Sequence, residues 1–408
     1  MQLVEKHIID PHHWLYKQLD NLCFLSKNLF NYANYLIRQK FIPTGVYLDY
    51  YKIQKLCQGT TDYLALPAKV SQQVLLRLHE SWKSFLAATR EYSEHPDKFK
   101  SKPKIPGYKH KTLGRNVLTY TAQAISQEWL QKGIINLSKT NIFLTTKVRE
   151  IKQVRIVPKN YHIVIEVVYE KPPVAGAASS VERIAGIDIG LNNLATITSN
   201  IQSVKPLIVN GRPLKSINVY YHKKKSVLQS DLPKNIGSSS RIRKLTHKRN
   251  CLIDNYLHNA SRFIINHLAA NRIGTLVIGF NDNWKQGINL GKRNNQNFVS
   301  IPHARFIEML TYKAQLAGIA VKVIEESYTS KCSFLDNEPI GKHSEYRGKR
   351  IKRGLFRAGD GRLINADVNG SANIVRKAFP NAFAAKGIQG VVVRPVRVTP
   401  YKMVVVGK

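Results

Sequence analysis

The chain has 408 residues, with 63 Lys and Arg against 26 Asp and Glu, a formal charge of +37 and a pI of about 10.1. Such an excess repels itself unless a polyanion neutralises it, so nucleic acid is the expected partner. No apolar run approaches the ~18 residues of a membrane span and no N-terminal signal pattern is visible, so a cytoplasmic protein without a membrane role is expected.

Four cysteines, Cys23, Cys57, Cys251 and Cys332, are too scattered for a disulfide framework or a CxxC knuckle and are expected to be reduced packing residues. The length permits two or three domains, and an apolar fraction of 43% can fill their cores. No internal repeat of solenoid period is visible.

From the N-terminus, Leu15, Leu19, Leu22, Leu29, Ala33 and Leu36 follow the spacing of an amphipathic helix over 14 to 38. A second helix is expected from Pro67, with Val70, Val74, Leu78, Trp82 and Phe85 on one face. A proline-broken basic stretch follows, with Lys98, Lys100, Lys102, Lys104, Lys109, Lys111 and Arg115 around Tyr108, and it reads as a track for phosphates. Strand-like runs occupy 117 to 121, 134 to 137, 141 to 145, 154 to 157 and 161 to 169, the last two forming a hairpin about Pro158, Lys159 and Asn160. Short strands around a helical insertion suit a small β-barrel (1–14 and 112–170, insertion 15–111). The segment KPPVAGAASS lies in an expected linker, 171–182.

Beyond it, apolar runs at 184 to 189, 194 to 198, 206 to 210, 274 to 280 and 319 to 324 alternate with helical patterns over about 240 to 270, 303 to 317 and 368 to 378. That order is an α/β arrangement. The helix from about Ser240 carries Arg241, Arg243, Lys244, Lys248 and Arg249 at its start, against the usual preference for acids there, which suits contact with phosphates.

Three segments each carry an acid at the end of an apolar run or just before a helical stretch: IAGIDIGLNNLATI (184–197), VKVIEESYTSKCSFLD (321–336) and LINADVNGSANIVRKA (363–378). Asp188 lies inside a strand pattern, where an ionised carboxylate is costly unless it meets a cation. Asp367 precedes a helical stretch that it could also cap. Gathered by a sheet, Asp188, Glu325 or Glu326, and Asp367 could converge on one metal site, and Mg²⁺ prefers such oxygen ligands. Distant carboxylates of this kind suggest a nuclease.

Together, GIDIGLNNLAT, EESYTSKCS and NADVNGSANI resemble the RuvC-type nuclease domain of the TnpB family, RNA-guided endonucleases of insertion sequences from which type V CRISPR effectors descend. The resemblance runs over the whole chain, including the PKIPGYK turn. It implies a nuclease domain at 183–330 and 361–380, a degenerate zinc-ribbon-like insertion at 331–360 and a basic C-terminal tail at 381–408. It places the family's first catalytic Asp on Asp188 and its last on Asp367. The usual middle Glu falls on Gly279, which cannot bind a metal. Either the nuclease is inactive or another carboxylate reaches the same place, as in rearranged relatives such as the Fanzor proteins. Alternation along a strand lets one of Glu325 and Glu326 face Asp188, and the resemblance, through its E-x-x-T-S spacing to Thr329, implies Glu326, with Glu325 as substitute. Asp282 is a remoter candidate.

Only Cys332 of the family's four zinc cysteines remains, so no zinc is expected, and His343 reads as a solvent-exposed side chain. Lys349, Arg350, Lys352, Arg353 and Arg357 keep that insertion basic. The resemblance implies two Mg²⁺ ions, a guide RNA transcribed from the element end, double-stranded target DNA, one protein monomer per guide RNA, and a prokaryotic protein that joins the nucleoid when bound to DNA. The rival expectations are a nuclease-inactive RNA-guided DNA binder and a strand-transfer transposase. The β-branched runs of 387 to 408 could pair as strands or form a loose basic tail.

Overall fold

A computed structural model describes residues 1–172, 182–281, 296, 299–383 and 395–400. Contacts divide the chain into two units, Met1–Pro172 and Pro173–Lys408, and the division falls inside the expected linker, of which 173–181 lie outside the described residues.

In the first unit, β1 (Gln2–Ile9) is followed by the helices α1 (Tyr16–Thr44), α2 (Tyr50–Cys57), α3 (Thr61–Leu64) and α4 (Ala68–Glu94). Then come β2 (Leu118–Thr121), α5 (Gln127–Gln131), β3 (Ile134–Asn136), β4 (Phe143–Thr145), β5 (Gln153–Pro158) and β6 (Ile163–Glu170). The two apolar stripes account for α1 and α4: Leu19, Leu29, Ala33, Val70, Val74, Leu78 and Trp82 are buried in one core. Trp82 Nε1 donates to Asn34 Oδ1 at 2.9 Å, so the large indole is buried without an orphaned donor.

The strands do not close into the expected barrel. They make an open antiparallel sheet, β1-β6-β5-β2, and a separate pair, β3-β4. Strand existence follows from local pattern, whereas closure requires β1 to meet β2, a non-local pairing that no local signal sets.

The basic stretch is fastened through its backbone. Asn31 Nδ2 and Asn34 Nδ2 of α1 donate to the carbonyls of Lys109 (2.8 Å) and Pro106 (3.0 Å), and the buried Lys27 donates to that of Lys111 (2.6 Å). Lys100, Lys102, Lys104, Tyr108 and Lys111 are left exposed. Three expected phosphate contacts are otherwise engaged. Arg115 holds Asp20 through two 2.7 Å hydrogen bonds, Lys98 pairs with Glu91 at 2.7 Å, and the half-buried Lys109 sits 4.9 Å over the ring of Phe30, its pKa lowered by burial.

In the second unit, β7 (Ile184–Ile189), β8 (Asn193–Ser199) and β9 (Leu207–Asn210) form a meander, followed by α6 (Arg212–Ser230) and α7 (Ser240–Ala270). β10 (Thr275–Gly279), α8 (His303–Leu316) and β11 (Ala320–Ile324) come next. A small antiparallel sheet, β12 (Lys349–Lys352), β13 (Leu355–Arg357) and β14 (Leu363–Asn365), leads into α9 (Ala366–Ala378), and β15 (Val396–Val398) is last.

The main sheet of the described residues runs β11-β10-β7-β8-β9-β15, with β10 parallel to β7 and β11, and β15 parallel to β9. Ile187, Ile189 and Leu276 pack toward α7 and α8, while Ile184 and Val277 belong to the core that includes α9. Such double-sided burial explains why these strands read as apolar runs. The expected tail thus contributes a strand at 396–398, while 384–394 and 401–408 lie outside the described residues.

Candidate active site

Gly186 and Asp188 lie two apart on β7 and therefore on one face of the sheet, the face that α9 crosses. Two glycines set the approach. A Cβ at Gly186 would meet the Ser371 carbonyl oxygen at 2.6 Å, and one at Gly370 would meet Asp188 Oδ2 at 2.9 Å. The helix therefore lies directly on the carboxylate.

Asn365 caps α9, its side chain accepting from the backbone N–H of Asp367 and of Val368. The capping role that Asp367 could have served is filled, and its carboxylate turns to the cleft. There Oδ2 accepts from Asn193 Nδ2 of β8, and Oδ1 lies 3.5 Å from Arg350 of β12.

Glu325 and Glu326 diverge. Glu325 is exposed and bound to Lys377 at 2.8 Å and Ser327 at 2.6 Å, which hold its pKa below the usual range. Glu326 turns inward. Its backbone N–H donates to Asn281 Oδ1 at 3.0 Å, and burial pushes its carboxyl pKa up. A Cβ placed on Gly279 would lie 2.8 Å from Glu326 Oε2 and 2.5 Å from Ile374 Cδ1. The absence of a side chain at Gly279 thus leaves the space beside which the Glu326 carboxylate lies.

Sheet order β11-β10-β7-β8 sets Asp188 between Glu326 on one side and the Asn193-held Asp367 on the other. Burial first, then the charges of Glu326 and Asp367, push the Asp188 carboxyl up to about 8, with Arg350 opposing. The expected convergence on a single site is modified: among the described residues no three His, Cys, Asp or Glu side chains close around one point. Asp188 instead feels the charges of both Glu326 and Asp367.

The cleft before Asp188 and Asp367 has a volume of about 360 Å³ and is lined by Arg212, Arg350, Arg353 and Arg397. Arg397 Nη1, brought by β15, donates to Asn193 Oδ1 at 2.8 Å. Asn193, Asn281, Arg212 and Arg397 were not legible as site residues, since a polar side chain that positions another leaves no periodic trace. Arg241, Arg243, Lys244, Lys248 and Lys352 are exposed on their elements. Arg249 is not available for phosphate, because it donates to Asn218 Oδ1 and to the carbonyl of Ser300. Asp282 lies outside the described residues.

The expected remnant at 331–360 is held by hydrogen bonds. The buried Glu338 carboxylate accepts from the N–H of Ser333 (2.6 Å) and of Arg347 (2.9 Å), and Asn369 and Asn373 of α9 donate to the carbonyl of Cys332. Cys332 is free and buried, and His343 is partly exposed, its Nε2 2.7 Å from the Pro339 carbonyl.

Residues 162–285 match the family described as a probable transposase, OrfB of IS605, and residues 303–374 match the Cas12f1-like TNB domain. The TnpB-like protein ORF457 of Acidianus two-tailed virus is 24% identical over 418 residues, which span 90% of this chain and 85% of that protein. Among solved structures, a Cas12f1–sgRNA–target DNA complex aligns with 91% of this chain and 98% of its own at 14% identity and a TM-score of 0.38. The mini-RNA-guided endonuclease CRISPR-Cas_phi3 aligns with 97% and 94% at 10% identity and a TM-score of 0.40. Scores this low support no further argument.

Proposed function

We propose that this chain, a TnpB-like protein, is an RNA-guided DNA endonuclease whose cutting centre is Asp188, Glu326 and Asp367. The observation that carries the reading is the Glu326 carboxylate lying over Gly279, because it supplies the third acid whose absence would otherwise favour an inactive binder.

A carboxyl raised to about 8 by burial first and then by the charges of two neighbouring acids suits hard divalent cations, which favour oxygen donors and would offset that charge. Asp188, Glu326 and Asp367 would together hold two Mg²⁺ ions. When bound, such ions activate water and stabilise the leaving oxygen of a phosphodiester.

The chain's own residues prepare that chemistry. Asn281 fixes the backbone of Glu326, and Asn193 orients Asp367. Arg350 partly offsets the acidic charge, and Arg212, Arg353 and Arg397 line the cleft with cations suited to the phosphates of the incoming strand. In this reading a guide RNA pairs with one target strand while the protein recognises duplex shape and a short flanking motif. The exposed cations of the first unit, Lys100, Lys102, Lys104 and Lys111, suit the RNA and DNA backbones.

The test combines the purified protein–guide complex with matching DNA and Mg²⁺. Cleavage that falls by ~10² or more in Asp188→Ala supports the reading. Undiminished cleavage in that variant, or joined rather than cut DNA products from the wild type, overturns it.

A further inference from the structure

We propose that the exposed face of α6 seats the single DNA strand being cut, with Tyr220 as the platform on which one base stacks. The proposal rests on the endonuclease reading and adds a substrate subsite to it.

α6, residues 212 to 230, contains five cations, Arg212, Lys215, Lys223, Lys224 and Lys225, and no acid. Arg212, Lys215, Ser216, Val219, Tyr220 and Lys223 recur at spacings of three and four, so they share one face. They line a shallow hollow of about 670 Å³. From Arg212 to Lys223 the face runs about 16 Å, at ~1.5 Å per residue.

This hollow adjoins the carboxylate cleft, since Asn192 and Arg212 line both. The junction is fixed by Lys215 Nζ, which donates to Asn192 Oδ1 at 2.9 Å, and by the Gly211 N–H, which donates to the Asn192 carbonyl at 2.8 Å. A strand lying on α6 is therefore brought beside the cleft that Asp188 and Asp367 line.

Tyr220 is 59% exposed and Val219 49% exposed, in the middle of the cations. An exposed ring flanked by positive charge is how proteins hold single strands without reading sequence, since every unstacked base offers a π-face and every step a phosphate. A duplex keeps its bases stacked and has no use for the ring. The occupant is DNA rather than RNA because the hollow adjoins the cleft in which, on this reading, the DNA is cut.

The subsite can be read without cleavage. The Asp188→Ala complex is irradiated with a short oligodeoxythymidylate carrying one iodouracil, and the crosslinked peptide is mapped by mass spectrometry. The expected result is a crosslink at Tyr220, lost in Tyr220→Ala and kept at another α6 position or at the ring in Tyr220→Trp. In a cleavage-competent complex, Tyr220→Ala should raise KM on the order of tenfold with kcat retained, and Tyr220→Phe should stay close to wild type. Crosslinks confined to sites outside α6, equal crosslinking by an oligouridylate of the same length, or an unchanged KM in Tyr220→Ala would overturn the proposal. A wild type that never cuts would sink the endonuclease reading, while the crosslink would still decide this one.

Discussion

Asp188→Asn should stabilise the metal-free chain while abolishing cleavage. The Asp188 carboxyl, ordinarily near 3.8, is pushed up to about 8 by burial and by Glu326 and Asp367. A raised acid pKa means that the folded chain keeps a proton which the unfolded chain has lost. No penalty exists below about pH 4. It grows as pH rises through the interval and is complete above about pH 8. At pH 7 the gap is roughly three pKa units at ~1.36 kcal/mol each, a ceiling of about 4 kcal/mol, and side-chain relaxation brings the expected gain to about 2–4 kcal/mol. Asparagine has the same shape and no charge to bury. For a unit of this size, 1 kcal/mol moves Tm by ~2–4 °C, so calorimetry in chelator at pH 7 should show a rise of at least about 4 °C. The difference between variant and wild type should vanish near pH 4. An equal or lower Tm for Asp188→Asn at pH 7, or a difference that does not grow with pH, would refute the electrostatic account of the site.

Glu326→Gln should slow target cleavage by ~10² or more, as for loss of a metal ligand, whereas Glu325→Gln should cut at nearly the wild-type rate because that side chain faces Lys377; equal effects in a cleavage time course would reject the assignment. Gly279→Ala should push a methyl against Glu326 Oε2 and Ile374, costing about 1–3 kcal/mol in denaturant unfolding and most of the cleavage, so full activity in that variant would mean that Glu326 does not work from above Gly279. Glu338→Ala leaves two N–H groups unpaired and should cost about 1–3 kcal/mol each, seen as faster hydrogen exchange in 331–360, while stoichiometric zinc by elemental analysis would displace the hydrogen-bonded account of that insertion.

Much of the fold could be read from the sequence because its strands are either alternating or buried on both faces, and its longest helices, α1, α4 and α7, carry continuous apolar stripes. α6 was missed for the complementary reason. Of its residues only Leu214 and Asn218 are buried, so it has almost no apolar face to give a period. β15 was left open because a three-residue strand flanked by prolines carries too little pattern, and its partner β9 lies almost two hundred positions away. The barrel failed for the same physical reason. Alternation says that a strand exists and which face is apolar, but only long-range pairing decides whether a sheet closes.

The site divides along a similar line. As a candidate, Asp188 stood out because a carboxylate in an apolar strand is costly, whereas alternation near β11 separated Glu325 from Glu326 without choosing between them, and only the resemblance's spacing to Thr329 pointed to Glu326. What the sequence could not supply is the link between Gly279 and Glu326. β10 and β11 are parallel, with Gly279 opposite Ile324, so Glu326 lies two residues beyond that register point and on the same side. A larger residue at 279 would occupy the volume its carboxylate needs. Gly279, which alone argues for a dead nuclease, is therefore compatible with the relocated acid proposed above, since the Glu326 carboxylate lies where a side chain at 279 would reach.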